Sequence, residues 1–303
     1  MTKIRAYSIL FLLVLIAASP VYSQGRGDID RVVDFSTFKQ LQTHFKFTEG
    51  PVWNTAGFLL FSDIPANRIY KWEAGKEAVV FRDPSHNSNG LTYDREGRLI
   101  ACEHGSRRVT RTLQDGTIEV LAEEYDGKKL NSPNDAVVAG DGTIYFTDPP
   151  YGVTEEKREL DFQGVYRIDP SGDLHLEHKG LDRPNGIGLS PDGKTLYVAD
   201  TNDQLYSFDV QSNGELSDPN KFGDQPLKGG DGLSVDKEGN IWATGTGGVW
   251  VYASDGKYIG RLDTPEGPAN CCFGGKDGRD LYITARTSLY LVRTKVEGMR
   301  AME

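Results

Sequence analysis

The sequence predicts an all-β chain folded as a six-bladed β-propeller and closed into a ring by an N-terminal strand. Three observations carry that expectation. A strand–turn–strand segment recurs six times in register. Its period is that of one propeller blade. The chain is also rich in Gly, with 35 in 303 residues and no collagen period, or about 12% against a usual ~7%. In a well-mixed sequence with 10% aromatic residues, that excess places many turns between many short strands.

The first 23 residues read as an address. Lys3 and Arg5 precede an apolar run from Ile9 to Ala18, and Val21 and Ser23 supply small residues near the end. This is the pattern of a secretory signal, with cleavage expected after Ser23. The run is short for a membrane span of ~20 residues. The expected product is exported, periplasmic or secreted, with residues 24–303 as one domain and no membrane attachment. A net charge of −10 falls to about −12 without Lys3 and Arg5, which argues against a nucleic-acid partner. Cys102, Cys271 and Cys272 are too few for a disulfide framework and read as buried free thiols. Oligomeric state is not readable. The Arg26-Gly27-Asp28 tripeptide is expected to lie by accident at a loose N-terminus.

The repeats are GPVWNTAGFLLFSD, GLTYDREGRLIACE, DAVVAGDGTIYFTD, GIGLSPDGKTLYVAD, GLSVDKEGNIWATG and CCFGGKDGRDLYITA. Their turn glycines are Gly57, Gly97, Gly142, Gly193, Gly239 and Gly278, spaced by 40, 45, 51, 46 and 39 residues. Asp141-Gly142, Asp192-Gly193 and Asp277-Gly278 are hairpin pairs in which Gly supplies a positive φ. A third strand is predicted after each hairpin, starting near Arg68, Val109, Val165, Leu205, Val249 and Leu289. A polar fourth run, such as Ala78–Phe81 or Ile118–Ala122, reads as an outer edge. The last repeat ends near Arg293 without a fourth strand, while residues 31–47 precede the first repeat without a partner. That segment is expected to complete the last blade and remove two sheet edges.

Eight residues before each turn glycine stand Glu49, Asn89, Asn134, Asn185, Asp231 and Asn270. Each opens the innermost strand of its blade, so all six carry an oxygen toward one axis. Strand-opening turn chemistry would explain one or two such residues, and buried amides could also bond one another in a water-filled channel. A full set without Ser, Thr, Gly or Pro points to a cation site. Carboxylate and amide oxygens suit Ca²⁺ first, then Mg²⁺ or Mn²⁺. The absence of His and Cys disfavours Zn²⁺, which stays in the panel to be tested.

These residues resemble the gluconolactonase or senescence-marker-protein-30-like family. The resemblance runs from about Phe47 to Arg286, on Glu49-Gly50-Pro51-Val52-Trp53, Asn89-Gly90-Leu91, Ser132-Pro133-Asn134-Asp135, Arg183-Pro184-Asn185-Gly186 and Gly230-Asp231-Gly232. Cys102-Glu103-His104-Gly105 followed by Arg107-Arg108 resembles the bacterial branch. The resemblance implies a cation, usually Ca²⁺, held by Glu49, Asn134, Asn185 and Asp231. It implies hydrolysis of a sugar lactone, with Asp231 taking the proton from attacking water. Asn89 and Asn270 would then shape the pocket or hold water. Some animal members carry an Arg two residues before the Asn134 position, where it contacts substrate; here that residue is Ser132.

Asn134, His104, Arg183 and Asn89 are the substrate-binding candidates. Arg183 could instead pair with Asp182, and His104 could be a satisfied structural residue. His86 is a candidate for the channel mouth. Asp63 and Asp148 end second strands and read as caps, with a second metal as the alternative. No Gly-x-Ser-x-Gly elbow supports a serine esterase. Two other readings stay open: a non-catalytic exported propeller that binds a ligand or protein, and a hydrolase of organophosphates or other esters.

Overall fold

The computed structural model describes residues 26–301; the predicted signal segment, residues 1–23, lies outside them. Six antiparallel sheets follow one another around a ring. Blade 1 is Thr48–Asn54, Phe58–Asp63, Arg68–Trp72 and Val79–Arg82; blade 2 is Ser88–Tyr93, Leu99–Glu103, Arg108–Thr112 and Ile118–Ala122. Blade 3 is Ala136–Val138, Ile144–Asp148, Gly164–Ile168 and Leu174–His178; blade 4 is Pro184–Leu189, Thr195–Asp200, Leu205–Asp209 and Asn220–Lys221. Blade 5 is Leu233–Val235, Ile241–Gly245, Gly248–Tyr252 and Tyr258–Asp263. Blade 6 is Pro268–Gly274, Asp280–Ala285 and Ser288–Thr294, with Val33–Gln42 as its outer strand. The six turn glycines all hold positive φ, from +68° at Gly193 to +95° at Gly57, as their hairpins require.

The closing strand behaves as the sequence predicts. Val33 pairs with Thr294, Lys39 with Leu291 and Gln42 with Leu289, antiparallel. One feature differs from expectation. Arg26 and Gly27 are not loose: they pair with Arg261 and Gly260 as a fifth strand on blade 5. The Asp28 N–H donates to the Ile259 carbonyl at 2.7 Å. Ile29, fully buried between blades 5 and 6, anchors the segment by removing its side chain from water.

Alternation decides where the core lies. Successive strand residues point to opposite faces, and every inner strand is covered on both faces by a neighbouring blade. Thus Phe146 packs toward blade 2 while Tyr145 packs toward blade 4. Trp242 packs toward blade 6, and Ile241 and Ala243 toward blade 4. Among the described residues the buried apolar groups form six clusters, one between each pair of neighbouring blades. The apolar mass therefore surrounds the axis, and the axis itself is left to the polar starts of the first strands. Cys102, Cys271 and Cys272 are free thiols within this packing.

Candidate active site

The first strands are shaped to aim their opening residues. In four blades the register against the second strand slips at the axial residue: between Glu49 and Val52, Ser88 and Leu91, Pro184 and Ile187, and Pro268 and Asn270. A bulge bends a strand and re-aims a side chain. In blades 3 and 5, Asn134 and Asp231 stand just before strands that begin at Ala136 and Leu233. Neighbouring copies are then tied together by their backbones. The Gly90 N–H donates to the Asn134 carbonyl at 2.8 Å, and the Gly186 N–H to the Asp231 carbonyl at 2.9 Å. This approach leaves no room for a side chain at Gly50, where φ is +51° and a Cβ would lie 2.0 Å from the Asn89 carbonyl oxygen. Buried hydroxyls on the second strands complete the ring: Ser62 donates to the Asn89 carbonyl at 2.7 Å and Thr147 to that of Asn185 at 2.6 Å.

Glu49, Asn89, Asn134, Asn185 and Asn270 are buried, whereas Asp231 is half-buried. Asn270 Nδ2 donates to Glu49 Oε2 at 3.1 Å and to Asp135 Oδ2 at 3.2 Å, and its Oδ1 accepts from the Cys271 N–H at 2.8 Å. Its hydrogen-bonding capacity is spent inside the protein. Burial, with Asp231 and Asp135 close by, drives the Glu49 pKa well above the usual carboxylate range. Burial also raises that of Asp231, against the opposing effect of a hydrogen bond from Asn185. Two carboxylates are thus crowded in a place that disfavours charge.

A divalent cation is the group that the family resemblance implies here, and the donor chemistry suits it. Asn89 Oδ1 and Asn185 Oδ1 are buried without a hydrogen-bond partner. An unmet buried acceptor costs ~1–3 kcal/mol, so such atoms call for a partner. Amide oxygens beside Glu49 and Asp231 make a hard, oxygen-only set of the kind Ca²⁺ takes. No cluster of three His, Cys, Asp or Glu that could hold a metal occurs among the described residues, because amides contribute so many of the axial oxygens.

The other candidates separate clearly. His104 is buried, and its Nε2 lies 3.2 Å from Asn89 Nδ2. An amide nitrogen can only donate, so Nε2 accepts and the imidazole proton sits on Nδ1. Burial pushes the His104 pKa down to about 4, which leaves a neutral ring that orients Asn89. Arg183 does not pair with Asp182, whose carboxylate takes Asn202 Nδ2 at 2.8 Å. Its guanidinium lies over the Tyr151 ring at 5.1 Å, and its Nε has no partner. His86 is exposed on a loop, with φ at +56°. Asp63 accepts from the Lys46 and Phe47 N–H groups at 3.0 and 3.1 Å, and Asp148 from the Asn131 N–H at 2.7 Å. Both cap the segments that lead into first strands. Ser132 is fully buried; its Oγ donates to the Pro149 carbonyl at 2.8 Å and accepts from the Gly152 N–H at 2.7 Å. It braces the loop at residues 149–152, with its hydroxyl engaged by backbone on both sides.

Asp135, Tyr151, Thr201 and Arg286 also belong to the site, beyond the residues predicted from sequence. Asp135 had a usable signal. The residue after the axial one is Gly in four repeats, Gly50, Gly90, Gly186 and Gly232, and an acid only at Asp135. Its carboxyl is buried, with a pKa raised by burial to about 7. With Asn270 it lines a cavity of about 280 Å³ whose wall also includes Asp192 and Gly193 of a hairpin turn. Arg286 lies over the Phe47 ring at 5.9 Å, and its charge lowers the Asp231 pKa. Tyr151, on the long loop of blade 3, hydrogen-bonds Thr201 at 2.7 Å.

Residues 47–287 match the SMP-30/gluconolactonase/LRE-like region. A gluconolactonase from Zymomonas mobilis is 35% identical over 89% of this chain and 85% of its own length. A pentonolactonase from Haloferax volcanii is 28% identical over 84% of each. A gluconolactonase structure from Xanthomonas campestris superposes with a TM-score of 0.79 and 36% identity, covering 85% of this chain and 89% of that one. With the axial ring, the repeat order and this match over most of its length, the chain belongs to the SMP-30/gluconolactonase/LRE-like family.

Proposed function

We propose that this protein is an exported lactonase that opens a sugar lactone, of the gluconolactone kind, to its aldonic acid with the help of one divalent cation. The observation that carries the reading is the crowding of Glu49 and Asp231 beside the unmet Asn185 Oδ1. Two relatives named as lactonases support the substrate class.

Glu49, Asn134, Asn185 and Asp231 would hold the cation, Ca²⁺ first among the candidates, and when bound it supplies a Lewis acid for the lactone carbonyl. Asp231 would accept the proton of an attacking water; its being the one axial residue that is not fully buried supports that choice. A carboxylate beside a cation is a weak base, but a strained lactone needs only modest base catalysis. Asn89 Oδ1 offers an acceptor and Arg183 Nε a donor to the sugar hydroxyls. His104 holds the Asn89 amide, and Ser132 steadies the loop that carries Tyr151.

The test is acid release from a panel of lactones, starting with glucono-1,5-lactone. It is run after chelation and after separate return of Ca²⁺, Mg²⁺, Mn²⁺ and Zn²⁺. Loss on chelation and recovery with one ion is expected. Release no faster than buffer across the panel would leave a ligand-binding propeller, or a hydrolase of other esters if an organophosphate or aryl ester turns over instead. Export is checked by sequencing the N-terminus of the protein from the periplasm or medium, where Gln24 is the expected first residue.

A further inference from the structure

We propose that Thr201 and Tyr151 are positioning residues that fix which end of the Asn185 amide is left for the cation. The inference rests on the cation reading above and deepens it. One atom in this group has no choice of role. The Gly230 carbonyl oxygen can only accept, and Thr201 Oγ1 lies 2.7 Å from it. Thr201 therefore spends its single proton there. Toward its other neighbours, the Tyr151 hydroxyl at 2.7 Å and Asn185 Nδ2 at 3.1 Å, Thr201 can only accept. Tyr151 in turn spends its proton on Thr201 and is left as an acceptor toward the Asn185 side chain, 3.3 Å away.

Two hydroxyl oxygens with only lone pairs to offer now face one end of the amide, the end that also donates to the Asp231 carboxylate. That end must be the NH₂ group, since an oxygen there would meet the two hydroxyl lone pairs and a carboxylate. The polarity of a backbone carbonyl is thus relayed through two hydroxyls to the Asn185 side chain. The opposite end, Oδ1, stays buried and without a protein partner, free as a cation donor. The relay crosses blades. Tyr151 arrives from blade 3 on residues 149–163, while Thr201 and Asn185 belong to blade 4. Tyr151 is 41% exposed, yet its hydroxyl is committed and its ring is covered by Arg183 at 5.1 Å. A side chain at the mouth is thereby tied to a donor on the axis.

The experiment is calorimetric titration of the chelator-stripped full chain with Ca²⁺, then Mg²⁺ and Mn²⁺. The variants are Tyr151→Phe, Thr201→Val and Thr201→Ser. Groups that orient a ligand in this way change metal affinity by about 10–100-fold. Thr201→Val and Tyr151→Phe are expected to weaken binding within that range, at an unchanged metal-free Tm, while Thr201→Ser binds as the parent does. Should Thr201→Val fail to fold, Tyr151→Phe decides, because it keeps the ring under Arg183. Parent-like affinity in Tyr151→Phe and Thr201→Val overturns the proposal. So does equal weakening in Thr201→Ser, which would make shape rather than the hydroxyl responsible. A parent chain that binds none of the three ions removes the cation reading itself, and this inference with it.

Discussion

Asp148 is fully buried and Asp231 half-buried, and the two acids have different work to do. Asp231 is expected to be chemical. Asp231→Asn and Glu49→Gln should each lower lactone-dependent acid release by about 100-fold or more. The Tm of the metal-free protein should hold or rise, because each substitution relieves like-charge crowding. Asp148 is a cap whose pKa burial raises to about 7, and its effect is on stability. Its folded value lies above the ~3.9 of an unfolded Asp. Below about pH 4 both states hold the proton and no penalty exists. Between the two values the folded state keeps a proton that the unfolded state has lost, so stability falls as pH rises and levels off above the folded pKa. Denaturant unfolding of metal-free protein from pH 4 to 8 should show a shallower decline in Asp148→Asn, by about 1–4 kcal/mol across the window. Equal slopes would show that Asp148 is not the titrating group.

At the scale of the strand, function depends on where the first strands begin and how closely they approach. Bulges at Glu49, Asn89, Asn185 and Asn270 aim these side chains, and glycine at positions 50, 90, 186 and 232 lets blades touch backbone to backbone. Gly50→Ala tests this. With φ at +51° and the Asn89 carbonyl 2.0 Å from the new Cβ, the variant should lose about 3 kcal/mol or more. Because the clash displaces Asn89 and Glu49 together, cation affinity should fall with stability. An ordinary urea midpoint would contradict the close backbone approach at Gly50.

The whole molecule is a ring whose stability depends on closure. Blade 6 has only three strands of its own and borrows Val33–Gln42, while Arg26–Gly27 extends blade 5. A chain beginning at Gln24 should melt as the full-length protein does. One beginning at Thr43 exposes the edge of Ser288–Thr294 and, by removing Ile29, Val32 and Val33, uncovers the apolar surface of blades 5 and 6 that they cover. It should aggregate or unfold without a single cooperative transition, read by light scattering and calorimetry. The ring also explains a modest apolar content: six thin clusters between blades leave the axis to polar side chains.

The sequence by itself determined the blade count, the strand order, the turn glycines, the closing segment and the six axial positions. All follow from local patterns repeated at a fixed period, and period-two alternation with Gly-bearing turns is written in adjacent residues. Tertiary structure alone decided which axial oxygens are free. Asn270 and Asn185 occupy equivalent repeat positions, yet one amide is spent on Glu49, Asp135 and Cys271, and the other keeps an unmet Oδ1. It also decided that Ser132 braces a loop, that His104 is a neutral support, and that Tyr151 from one blade meets Thr201 from the next. Hydrogen-bond polarity is set by whatever atom lies across the interface, and residues 50 and 221 positions apart in the chain leave no periodic trace of meeting there.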